Sequence, residues 1–151
     1  MRHPLHPALV HFPVACWSLA TAADLAGLHW GGPAWHFAGS LLVVGTLAAV
    51  PAMLAGFYEL TTLDEDSPAI TDVYLHMGAM MAALLFYAMS LFARLDHTAL
   101  VVPGTFGISL SVMGFLCLSA GGWLGGKLVY AHRLGGGTAM QAPRKAESGE
   151  S

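Results

Sequence analysis

Four residues of the types that bind metal ions or haem iron recur near one end of four apolar segments: His11, Glu59, His76 and His132. At 1.5 Å per helical residue, an up-and-down arrangement of those segments brings all four within a turn or two of one level. Two imidazoles on facing helices are what a b-type haem iron needs, and His11 with His76 is the expected pair, with His132 as the substitute. Arg2, His6, Lys127 and Arg133 are then cations suited to the haem propionates. Glu59 and Tyr130 would move protons for a quinone-like substrate, and a membrane redox partner is implied. Alternatively, the three histidines and Glu59 together suit a zinc or iron ion. The di-iron motif of helical bundles, with its Glu-x-x-His pairs, is missing.

The reading rests on helix faces. Residues at i±4, i±7 and i±11 share a side, so Ala15, Ser18 and Ala22 follow His11, while Ala55, Ala52 and Ala48 precede Glu59. Met80, Ala83 and Tyr87 follow His76, and Leu128, Gly125 and Gly121 precede His132. These faces are mostly small, and small faces turn inward in membrane bundles. A third reading needs no cofactor: the polar groups form a hydrogen-bonded lock in a structural or interaction bundle. The other histidines have plainer roles. His3, His29 and His97 fall in termini or loops, His6 can cap a helix, and His36 either sits at the interface or pairs with Asp24.

What positions these residues is a strongly apolar chain. Of 151 residues 56% are hydrophobic and 10% charged, with mean hydropathy +0.62, whereas about a quarter of a soluble chain is charged. No charge lies between Asp24 and Glu59, between Asp72 and Arg94, or between Asp96 and Lys127. Each gap holds a span of about 20 apolar residues, enough to cross a hydrocarbon core. The expected spans are 7–28, 34–60, 71–95 and 101–131, an all-α, four-helix up-and-down membrane bundle over residues 1–134, followed by a disordered tail, 135–151.

Pro7 suits a helix start, while Pro13 and Pro51 are expected to bend their helices. An uninterrupted signal-peptide core is not present, because His11 and Pro13 break it, so the first span reads as retained. No convincing internal repeat is apparent, and four spans without one make a poor transport pathway. Cys16 and Cys117 read as apolar core residues. The net charge of −3 and the acidic loop between the second and third spans, LDEDSPAITD (63–72), exclude a nucleic-acid surface. Two overlapping GxxxG pairs, Gly121 with Gly125 and Gly122 with Gly126, point to close helix packing or to a homo-oligomer through glycine-rich faces.

Arg2, Lys127, Arg133, Arg144 and Lys145 fall on the side of the termini, against Arg94 on the other. The positive-inside rule therefore puts both termini in the cytoplasm. Tyr58, Tyr74 and Tyr130 on that side, and Trp30 and Trp35 opposite, read as interfacial belts.

HPLHPALVHFP at the start, AAVPAMLAGFYE, the lone histidine early in the third span and GGWLGGKLVYAH at the end of the fourth resemble the DUF2231 family of four-helix bacterial membrane proteins. The resemblance reaches Leu134, where Arg133 and Leu134 interrupt the family's closing His-Gly-Val-Gly turn. It implies the bundle and a bacterial inner membrane. Relatives joined to Rieske-type iron–sulfur domains would imply electron transfer.

Overall fold

A computed structural model of the protein describes residues 5–61, 63 and 66–131. Four helices dominate it: α1 (Leu5–Trp30), α2 (Gly32–Leu60), α3 (Ile70–Phe92) and α4 (Thr105–Tyr130). Each is long and apolar enough to cross a membrane, and together they form the expected all-α bundle. Pro13 and Pro51 lie inside helices that continue through them.

The connections explain where the observed ends depart from the expected ones. Between α1 and α2 the chain turns at Gly31, whose φ of 75° is a conformation that glycine adopts without steric cost. After α3 a short antiparallel hairpin intervenes, β1 (Leu95–Asp96) with β2 (Ala99–Leu100). Its tip holds His97 at φ 55°. The fourth helix starts at Thr105 rather than at 101 because Pro103 holds Val102 out of the helical region and Gly104 is extended.

Helix α1 packs most extensively on α2, and α3 on α4; α1 with α4 and α2 with α3 complete the ring. The core is Trp17, Ala20, Leu42, Ala49, Ala83, Tyr87 and Leu118. Trp17 and Tyr87 stack across it, with ring centroids 4.9 Å apart and planes 15° apart. Both rings need neighbours without side chains. A Cβ on Gly45 would lie 2.9 Å from Trp17 Cδ1, and one on Gly114 would lie 3.0 Å from two Tyr87 ring atoms. Outside, Leu47, Leu54, Phe92, Trp123 and Tyr130 are exposed, which is the surface a bilayer requires.

Candidate functional site

The buried polar chemistry lies where the sequence reading did not put it. Asp24, near the end of α1, and Arg94, just past α3, are 0% and 1% exposed. They form a bidentate pair: Arg94 Nη1 donates to Asp24 Oδ1 at 2.8 Å and Nη2 to Oδ2 at 2.9 Å. Arg94 Nε donates to Ser90 O at 3.1 Å, and Nη2 also reaches Ser90 Oγ at 2.8 Å. Ser111 on α4 donates to Asp24 Oδ2 at 2.6 Å. Three helical segments thus meet at one ion pair.

The network continues inward. Thr21 Oγ1 lies 3.2 Å from the carbonyls of both Trp17 and Ser111 and 2.9 Å from Tyr87 Oη. With one proton to give, the threonine donates to a carbonyl and accepts from the tyrosine. Trp35, placed in the interfacial belt by the sequence, instead donates Nε1–H to Asp24 O at 3.2 Å and lies in the notch at Gly27, where a Cβ would overlap its ring. Among the described residues no buried side-chain polar atom lacks a partner, as a low-dielectric interior demands.

A smaller polar group sits at the opposite end, that of the termini. The His6 backbone N–H donates to Glu59 Oε1 at 3.2 Å, and His6 Nδ1 to Ala52 O at 2.7 Å. His76 Nδ1 donates to Gly121 O at 2.8 Å. Carbonyls only accept, so both imidazoles carry their proton on Nδ1 when neutral. The rings meet edge to face, 6.4 Å between centroids. Each lies over a glycine: a Cβ on Gly56 would approach His6 Nδ1 to 3.0 Å, and one on Gly125 would approach His76 Cε1 to 3.1 Å.

These positions correct the cofactor readings. Among the described residues no group of three or more His, Cys, Asp or Glu side chains could hold a metal ion. His11 is exposed, five residues and hence about 140° round the helix from His6. It therefore faces away from Glu59 and His76, and the His11–His76 haem pair and the three-histidine zinc or iron site both lose their first ligand. The helices also close directly on the two inward imidazoles, at Gly56 and Gly125, where a macrocycle would have to enter. The b-haem reading falls, and with it electron transfer and the quinone and redox-partner calls built on it. Arg2, His132 and Arg133 lie outside the described residues.

The error on α1 has a definite cause. Its small stripe, His11 with Ala15 and Ala22, is exposed, while the inward side carries Trp17, Ala20, Thr21 and Asp24. Small residues turn inward only where a partner fills the space; here α2 supplies the glycine, Gly45, and α1 supplies the ring, Trp17. The inward sides expected for Glu59 and His76 do carry buried residues, Ala52 in the first case and Ala83 and Tyr87 in the second. Asp24 pairs with Arg94 and not with His36, which is exposed. A signal for that pair was present: two opposite charges, each isolated at the same end of an apolar span. Cys16 is buried, and both cysteines are free.

A family model described as "Predicted membrane protein (DUF2231)" matches residues 2–138. The chain belongs to the DUF2231 family. It is an integral membrane protein, consistent with the four apolar helices. No curated protein matches it, and no solved structure does.

Proposed function

We propose that this DUF2231 chain is a cofactor-free membrane bundle with a structural or interaction role, its polar residues serving to hold the helices in one arrangement. The observation that carries this is the Asp24–Arg94 pair. It is sealed from solvent, satisfied by Ser90 and Ser111, and joins α1, the end of α3 and α4. An ion pair so placed has no exposed face to offer a substrate; what it does is penalise any helix arrangement that separates its members. The lipid bilayer is the partner the apolar exterior fits.

The orientation we propose is the bacterial inner membrane with the termini and acidic loop in the cytoplasm. Support comes from the distribution of basic residues along the sequence, Arg2, Lys127, Arg133, Arg144 and Lys145 on the side of the termini against Arg94 on the other. For self-association we assign Gly122 and Gly126, whose built Cβ atoms meet nothing within 4 Å; Gly121 and Gly125 are already occupied by Met80 and His76.

The test is the absorption spectrum and elemental content of detergent-purified protein from cells supplied with haem and metal salts. We expect no Soret band and no metal near one per chain. A stoichiometric group of either kind overturns the proposal.

A further inference from the structure

Three contacts between α1 and α3 share one regularity. Asp24 and Arg94 are 70 residues apart, and so are Trp17 and Tyr87, which stack, and His6 and His76, whose rings meet edge to face. In two of the pairs each member also makes the same contact as its counterpart. His6 bonds Ala52 O above Gly56, and His76 bonds Gly121 O above Gly125. Trp17 lies on Gly45 and Tyr87 on Gly114.

The second helix of each half follows suit, with a shift one residue shorter. Ala38, Leu42, Gly45, Ala49 and Ala52 are buried on α2, and at that shift Gly107, Ser111, Gly114, Leu118 and Gly121 are buried on α4. The residue identities agree as well: FAGSLLVVGTL (37–47) and FGISLSVMGFL (106–116) match at six of eleven positions.

We infer that the chain is a tandem repeat of one helix hairpin, α1–α2 and α3–α4, related by a two-fold axis along the bundle, and that the unlike charges at the equivalent positions 24 and 94 select the pairing of unlike hairpins. This pairing rests on the proposed locking role of the buried polar residues and is what the lock discriminates. Because α1 and α3 run in the same direction, the axis lies along the membrane normal. Two copies of the first hairpin would oppose Asp24 to Asp24, and two of the second would oppose Arg94 to Arg94. Either leaves like charges buried together, which is prohibitive where one of each is tolerated. The hydroxyls that complete the pair stand on one side only: Ser90 answers Ala20, and Ser111 answers Leu42. Repeats of this kind often flank a pathway, but here Val14, Met80 and Leu84 pack against the core.

Equivalence of the two positions is testable in the full-length chain. Asp24→Arg and Arg94→Asp should each lower the thermal midpoint in detergent by on the order of 10–20 °C, or prevent recovery of a monodisperse protein. The double exchange, D24R with R94D, should regain a large part of that loss. Adding Ala20→Ser, Leu42→Ser, Ser90→Ala and Ser111→Leu, which moves the hydroxyls to the related side, should regain more. If neither combined variant exceeds the better single one, the two positions are not equivalent and the inference fails. A bound cofactor in the native protein would sink the proposed function without touching this comparison of midpoints.

Discussion

Asp24 and Arg94 differ from a more exposed ion pair between α3 and α4 in a way that magnitudes make plain. Lys127 Nζ and Asp72 Oδ1 are 2.9 Å apart, yet the lysine side chain is 44% exposed, and such surface pairs contribute about 0–1 kcal/mol. Removing one member of a buried pair instead strands a charge, at about 3–5 kcal/mol. We therefore expect Asp24→Ala to cost several kcal/mol in an unfolding titration in mixed micelles, and Lys127→Ala to stay within about 1 kcal/mol of native. Replacing the pair together, D24L with R94M, should recover most of the loss, because no unpaired charge remains. A double variant as unstable as Asp24→Ala would show that the hydrogen bonds of Ser90 and Ser111, and not charge compensation, dominate the site.

At the scale of the helix, two glycines of α4 eight positions apart, Gly114 and Gly122, have opposite roles. Gly114 accepts the flat of Tyr87, a rigid ring with no room to yield at 3.0 Å from an added Cβ. Gly114→Ala should thus destabilise by about 1–3 kcal/mol through overpacking. Gly122 faces open space, so Gly122→Ala should be neutral or raise monomer stability by up to about 1 kcal/mol through helix propensity. The same variant should weaken self-association if that edge pairs copies. Thermal unfolding and light scattering on the two variants separate packing inside the bundle from packing between bundles. The helices themselves were legible from charge-free runs, because desolvating a charge in lipid is expensive at any position. Their rotation was not. The stripe at His11, Ala15 and Ala22 is as small as an inward face should be, and it is exposed; which side turns in depends on where α2 places Gly45, on which Trp17 packs.

For the whole molecule, orientation and symmetry are the open quantities. In a variant lacking Cys16 and Cys117, Thr98→Cys should react with a membrane-impermeant maleimide in cells with a permeabilised outer membrane. Asp66→Cys should react only after lysis. The reverse pattern would invert the topology and leave the fold unaffected. The repeat could have been found in the sequence, since FAGSLLVVGTL and FGISLSVMGFL align without a gap. It is hidden in the other helix, where Trp17 answers Tyr87 and Asp24 answers Arg94. Stacking preserves ring shape over residue identity, and a buried charge on a two-fold axis must face its opposite, so positions 24 and 94 cannot carry the same residue.

By itself the sequence determined the number of spans, their approximate ends and the membrane location, because each follows from local hydropathy and chain length. Only the tertiary structure decided that His6 and not His11 turns toward Glu59 and His76, that Asp24 meets Arg94, and that no metal-holding group forms among the described residues. A helix repeats every 3.6 residues, so several faces of one span can look equally apolar. The choice among them is made by the glycines and rings of other helices, dozens of residues away along the chain.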